Sequence, residues 1–388
     1  MVSLGLARAF ARKGIRIRTF KKGPDFIDAC WLSRASRSPQ ANLDPYFCPP
    51  ALLHSIFTTE SAGYELSLIE GNRGLFDGLD ISGSCSTAEV ARILGAPVIL
   101  VLDCTKMTRT AAALVKGCLS FEKDVRIGGV ILNRTGNDRH RALVRRAVEE
   151  LTGVPVLGVL PRLEADVIHE RHMGLSGLDE HSEADELLDK LADFVSEHAD
   201  LDSILDLGKS APPLAVDSEP ETDGRPPSSP SVNTADNPER SRIGYVRDRA
   251  FWFYYRENLA ALEKAGAELV PVSLLAGAPW PELDGLYIGG GLPELHLSAL
   301  SSNIEARRHV ADLANRGLPI YAECGGFMYL CRSIRKDGTS YPMSGVFPVS
   351  VCFHSRPQGL GYVEVDFIAS NRFHPTGLRL RGHEFLFS

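Results

Sequence analysis

Short apolar runs alternate with stretches of helical spacing through the first half of this chain. Residues 2–12 ("VSLGLARAFAR") place apolar side chains at helical spacing and predict a helix that opens without a preceding strand or cap. Runs at 15–21, 64–70, 96–103, 127–133 and 155–161 are short, apolar and bounded by turn residues, so each predicts a strand, with helical patterns between them. Strands that alternate with helices predict a mostly parallel sheet covered on both faces. Ligands of such sheets collect at the carboxyl ends of the strands, so the polar residues there are the ones to weigh.

Periodicity stops at 208–241, where Pro, Ser, Asp, Glu, Thr and Asn dominate, and this composition predicts a disordered tether. Beyond it, 243–248 reads as a strand and "AFWFYYRENLAAL" from residue 250 as the start of a helix. The aromatic cluster there reads as core or a domain contact rather than a binding box. A strand at 283–288 runs into three glycines, another at 318–322 runs into a helix with Cys324 at the turn, and 344–368 reads as strands and turns. The expected organisation is therefore a domain at 1–207, a linker at 208–241 and a second domain at 242–388.

A chain of 388 residues exceeds one typical core, which agrees with two domains. Net charge of −7 and the lack of a basic run exclude nucleic acid as the main partner. Eight cysteines without a C-x-x-C spacing predict mostly free thiols in a reducing cytoplasm. No apolar run reaches the ~18 residues that a membrane span needs, so no membrane partner is expected; a homodimer is compatible with all of this.

Cys324 is the leading chemical candidate. At the start of a helix it meets free N–H groups and a positive dipole end that would favour the thiolate, and Gly325 and Gly326 leave room for a substrate carbonyl. The triple glycine can bring further N–H groups beside the sulfur. An oxyanion hole then takes one donor from Gly290 or Gly291 and the other from Gly325. At the strand ends of the first domain, Asp25 and Asp28 flank a turn, while Glu70 and Asp77 form a plausible Mg²⁺ and nucleotide-phosphate site. Ser86 reads as a helix cap.

"GGGLPE" with "YAECGGFMYL" resembles the glutaminase domain of class I amidotransferases, in the form carried by cobyrinic acid a,c-diamide synthases. "KKGPDFID", "NLD", "IEGNRGLFDG", "STAEVARILGAPVILVLD", "GGVILNR" and "ERHMGL" follow in the order of that family's synthetase domain, which resembles dethiobiotin synthetase. The resemblance implies an α/β protein: a P-loop, dethiobiotin-synthetase-like parallel sheet domain followed by a class I glutamine amidotransferase-like domain. It implies a carbon–nitrogen ligase that uses ATP, Mg²⁺ and L-glutamine to amidate the acetates of a tetrapyrrole carboxylate substrate. Cobyrinic acid is the default substrate, and siroheme or nickel-sirohydrochlorin are the alternatives. It assigns Asp25, Asp28, Glu70 and Asp77 to ATP–Mg²⁺ and carboxylate activation, Asp44 to the substrate loop and Asn133 to the adenine pocket.

Two features depart from the family pattern. The Gly-rich loop ending in Gly-Lys-Thr is not found among these residues, which predicts weak triphosphate binding. Leu386 stands where the family carries its general-base histidine, two residues after Glu384, and leucine moves no proton. His383 would face the other side of a strand, and His354 and His374 have no motif support. A non-catalytic tetrapyrrole-binding subunit or a gene fragment is therefore the competing expectation.

Overall fold

The apolar runs of the first half become strands joined in parallel, as the computed structural model of the protein records. It describes residues 1–163, the backbone of 170–171 and 174–175, and residues 183–214, 240–277 and 280–388. The chain divides into two units, Met1–Thr222 and Asp223–Ser388.

The first unit begins with α1 (Val2–Arg12), β1 (Ile17–Lys22), α2 (Phe26–Ser36), β2 (Asn42–Leu43), α3 (Pro50–Ser61) and β3 (Leu66–Glu70). β1 lies between β2 and β3 and pairs with both in parallel. Next come α4 (Thr87–Ile93), β4 (Val98–Asp103), α5 (Arg109–Phe121), β5 (Ile127–Thr135), α6 (Asp138–Thr152) and β6 (Val156–Pro161). β4, β5 and β6 form a second parallel ladder, so hydrogen bonding divides the expected sheet into two groups of three strands. A small antiparallel pair, β7 (Glu170–Arg171) with β8 (Gly174–Leu175), lies in "ERHMGL". α7 (Ala184–His198) and α8 (Leu201–Lys209) complete the unit.

Helix α1 is held because its apolar face is buried and one polar residue on that face is paired. Leu4, Leu6, Ala7 and Phe10 are buried, and Arg8 donates to Asp189 of α7 at 2.8 Å. β1 is buried along its whole length, including Arg18, Lys21 and Lys22. Buried cations need partners; Arg18 finds the Glu60 carboxylate and, at 3.0 Å, the Glu60 carbonyl. The ordered chain continues past the boundary expected at 207. Gly208 packs against Leu66, Arg126 donates to the Ser210 carbonyl at 3.0 Å, and Leu214 joins the Phe20, Leu43 and Leu53 core. Residues 215–239 of the expected tether lie outside the described residues.

The second unit contains β9 (Arg242–Val246), β10 (Phe251–Phe253), α9 (Arg256–Lys264), β11 (Glu268–Val272), β12 (Gly285–Ile288) and β13 (Gly290–Gly291). α10 (Leu297–Ser302), α11 (Ile304–Asn315), β14 (Ile320–Ala322) and α12 (Gly325–Leu330) follow. Its parallel sheet has the order β11-β9-β12-β14. β15 (Cys331–Lys336), β16 (Thr339–Pro342) and β17 (Phe347–Cys352) make a mixed sheet, and β18 (Gly359–Asp366) and β19 (Arg379–Leu386) a hairpin.

One expectation fails here: the helix predicted from residue 250 starts only at Arg256, and Phe251–Phe253 is a strand. Asp248 accepts from the N–H groups of Ala250 and Phe251 at 2.9 and 3.1 Å, which turns the chain before a helix can form. The next residues alternate, with Phe251 and Phe253 buried and Trp252 half-buried, and they pair antiparallel with β13. The aromatic cluster is core, as its composition suggested. Phe251→Ala should destabilise the second unit by about 3–5 kcal/mol, read as a lower urea midpoint. A loss within ~0.5 kcal/mol would show that this strand is not a structural anchor.

Candidate active site

Neighbouring parallel strands send their following turns to the same edge of the sheet. β12 pairs with β14 through Leu286–Ile320, Tyr287–Tyr321 and Ile288–Ala322, so the loop Gly289–Gly291 and the turn Glu323–Gly325 emerge side by side. The Glu323 N–H donates to the Ile288 carbonyl at 3.0 Å and carries the pairing one step further. Cys324 then takes φ 48° and ψ −114°, a conformation that L residues rarely adopt. The Gly326 N–H holds the turn through the Glu323 carbonyl at 2.8 Å, and Met328 bonds back to the Cys324 carbonyl at 3.1 Å. Any Cβ at Gly326 would run into the Ile288 carbonyl, and one at Gly291 into the Ala250 carbonyl. The Cys324 turn therefore approaches the end of β12 this closely only with glycine at 326, and the loop reaches the segment before β10 only with glycine at 291.

The Cys324 side chain reaches solvent through a crowded rim. Desolvation by that rim pushes the thiol above its ordinary value, and the carboxylates of Glu294 and Glu323 push the same way. The N–H groups of Gly325 and Gly291 reach the sulfur and pull in the opposite direction without overcoming the burial. The N–H groups favour the thiolate as the sequence suggested, and burial outweighs them. Helix α12 has only six residues, and two N–H groups do not offset the lost hydration. Gly290 pairs with Phe253, and a Cβ there would stand 3.4 Å from Cys324 Cβ, so this glycine borders the sulfur from the strand side. Sequence reasoning missed Tyr287, whose hydroxyl donates to Glu323 at 3.0 Å beside the cysteine. A tyrosine in a buried strand, followed by glycines, was the available signal.

The region where the resemblance expects a base is the C-terminal strand. Leu386 lies at the end of β19 opposite Gly359, and its carbonyl accepts from the Gln358 N–H at 2.8 Å. His383, three positions earlier, pairs with Tyr362 on the opposite face by strand alternation, and burial pushes its imidazole down. The His354 N–H donates to the Phe387 carbonyl at 2.7 Å, which puts that residue next to the same strand. His374 lies against Phe367 with ring centres 4.3 Å apart and planes tilted by 48°.

In the first unit the strand ends bring together Lys21, Asp25, Asp28 and Glu70. The Lys21 ammonium donates to Asp28 at 2.6 Å and to Glu70 at 3.1 Å, so it joins β1, the start of α2 and the end of β3. Sequence reasoning passed over Lys21, although a lysine inside a buried strand is itself a signal of a partner. Asp25 caps α2 by accepting from the Asp28 N–H at 2.9 Å. Burial, then the charge of Asp28, pushes the Asp25 carboxyl up to about 6. Asp77 accepts from the Gly74 N–H at 2.9 Å through one oxygen and stays exposed. Asp44 is buried and accepts from the Tyr46 N–H at 2.9 Å. Asn133 lies near the end of β5 opposite Asp103 and accepts from the Arg134 N–H at 2.9 Å. Ser86 is the cap of α4, bonding the Glu89 N–H at 3.1 Å. Among the described residues no group of three or more His, Cys, Asp or Glu side chains forms a metal cage. Asp28 and Glu70 nevertheless supply oxygen donors of the kind Mg²⁺ takes when phosphates and water complete its shell.

Residues 242–388 match the CobB/CobQ-like glutamine amidotransferase domain, and residues 51–168 match the AAA domain. The cobyrinate a,c-diamide synthase of Magnetococcus marinus is 38% identical over 100% of this chain and 82% of its own length. Those of Syntrophotalea carbinolica and Archaeoglobus fulgidus are 41% and 38% identical, again over 100% of this chain and 82% of theirs. The chain belongs to the cobyrinate a,c-diamide synthase family. In this family the Cys324 turn falls within the amidotransferase match, and Glu70, Asp77 and Asn133 fall within the AAA match. Among the described residues no helix is long and apolar enough to cross a membrane.

The Asp25 shift makes a pH prediction for this family member. A carboxyl that holds its proton more tightly when folded stabilises the fold fully below its ordinary value of 3.8, and loses that contribution as pH rises through about 6. Asp25→Asn keeps the cap but cannot ionise. Wild type should lose stability relative to this variant as pH rises from about 4 to 7, by on the order of 2–3 kcal/mol. Urea unfolding across that range tests it, and parallel curves for the two proteins would refute the shift.

Proposed function

We propose that the chain amidates acetate side chains a and c of cobyrinic acid, drawing on ATP and glutamine in two separate centres. The observation that carries this reading is Cys324 on its strained turn, with the N–H groups of Gly291 and Gly325 reaching its sulfur. The thiolate attacks the side-chain amide carbon of glutamine, and the carbonyl electron pair moves onto oxygen, where Gly291 and Gly325 donate to it. Gly290 keeps the loop clear of a side chain. The amide nitrogen takes up a proton as the adduct collapses and leaves as ammonia, and water then cleaves the γ-glutamyl thioester to glutamate and the free thiol.

The first unit would transfer the terminal phosphoryl group of ATP to a substrate carboxylate. Ammonia attacks the activated carbonyl and expels phosphate, so each amide consumes one ATP and one glutamine. We assign Asp25, Asp28, Glu70 and Asp77 to the ATP and carboxylate centre, Asp44 to the substrate loop and Asn133 to the adenine pocket. Glu70 and Asp28 would hold Mg²⁺, which neutralises phosphate charge when bound. Lys21 draws those two carboxylates together and keeps them in place. ATP and glutamine as co-substrates favour a cytoplasmic enzyme.

The pushed-up thiol needs a proton acceptor, and Leu386 occupies the position where the family resemblance puts one. Leu386→His should raise glutamate release from glutamine by about a hundredfold. An unchanged rate would mean that residue 386 does not serve Cys324. Cys324→Ala should abolish glutamine-supported amidation and spare ammonia-supported amidation, both followed as tetrapyrrole product. Equal loss of the two would refute the scheme of separate centres.

A further inference from the structure

We propose that Tyr254 is a positioning residue for the glutamine-hydrolysing centre, its hydroxyl fixing the angle at which the Gly289–Gly291 loop offers the Gly291 N–H to the reacting oxygen. The proposal rests on the reading of Cys324 as the nucleophile. Tyr254 is 8% exposed, and its hydroxyl does two things at once. It accepts from the Gly289 N–H at 2.8 Å and donates to the Val246 carbonyl at 2.6 Å. A phenol has one proton to give and lone pairs to receive, so both bonds are satisfied together. The Tyr287 carbonyl lies 3.3 Å away on the same side. One hydroxyl thus ties the end of β9 to the first residue after β12, two positions before Gly291.

Several features make this tie the point that sets the loop. Gly289 follows the last residue of β12, and a Cβ there would meet the Tyr254 ring at 2.6 Å, so the ring and the loop backbone are in contact. The pairing of β10 with β13 shifts register between Phe251 and Phe253, leaving the loop's angle to be fixed from its other end. Burial pushes the Tyr254 phenol up, so it remains neutral and keeps both roles. Its ring is held edge-on by Tyr245 and Tyr287, with centres 5.7 and 4.9 Å away. Phenylalanine would keep that packing and remove the hydroxyl alone.

The test compares two alkylations of Cys324 in the full chain. A chloromethyl ketone analogue of glutamine reacts through an adduct in which sulfur bonds the ketone carbon and the carbonyl pair moves to oxygen. Sulfur then displaces chloride from the adjoining methylene, its bond to the ketone carbon breaks as the carbonyl re-forms, and the thiol proton leaves to solvent. Iodoacetamide is displaced directly at its methylene and forms no oxyanion. With both rates taken per thiolate from their pH profiles, Tyr254→Phe should slow the ketone about tenfold, as expected for a misaligned donor, and leave iodoacetamide within about twofold. A ring-fluorinated tyrosine at 254, a weaker acceptor, should give an intermediate loss and checks the result if the phenylalanine variant folds poorly. An equal fall in both rates would assign Tyr254 a merely structural role and overturn the proposal, as would no fall in either. Failure of the ketone to label Cys324 in the wild type, with iodoacetamide still reacting, would instead overturn the nucleophile reading beneath it.

Discussion

The second unit depends on one close approach, that of the Gly289–Gly291 backbone to the turn that carries Cys324. β12 and β14 must be neighbours for the two turns to meet, and both turns must be free of Cβ atoms where they touch. Gly326 lies against the Ile288 and Gly289 carbonyls and Gly325 against the Gly291 nitrogen, while Gly291 is closed on its other side by the Ala250 carbonyl, so none of the three has room for a larger side chain. β10 exists to flank this loop, and the buried aromatic residues around it give the loop a rigid wall. The chemistry attributed to Cys324 follows from that packing, because N–H groups converge on a sulfur only where two backbones are this near.

The first unit solves a different problem, that of carrying charge in a buried strand. β1 contains Arg18, Lys21 and Lys22, all buried, and each cation determines where nearby acids and carbonyls must go. Lys21 draws Asp28 and Glu70 together from two elements, while Asp25 is left beside Asp28 with its proton held more tightly than usual. Carboxylates gathered at the ends of parallel strands are suited to phosphate and metal chemistry, and the lysine keeps them from repelling one another before a ligand arrives.

Much of this was legible in the sequence. Strand runs bounded by turn residues located the parallel ladders to within a few positions, and the glycine run with the cysteine turn located the second unit's centre. Three features were hidden, each for a physical reason. The strand at Phe251–Phe253 was masked by helix-compatible residues after it, and only the Asp248 turn and the distant partner Gly290–Gly291 decide for a strand. The rise in the Cys324 thiol depends on how many atoms crowd it, which no local motif encodes. The bond from the Gly74 N–H to Asp77 depends on a turn three residues long whose conformation the spacing of acids does not encode. Lys21 was legible in principle, as a cation within a buried run, and was outweighed by the acids around it.

The account stands most directly on the geometry about Cys324, and the structure of the chain alkylated there by the glutamine chloromethyl ketone would examine it. The account predicts the label on Cys324 with its carbonyl oxygen within about 2.7–3.1 Å of the Gly291 and Gly325 nitrogens. A carbonyl oxygen turned to solvent, or a label carried by another cysteine, would contradict it.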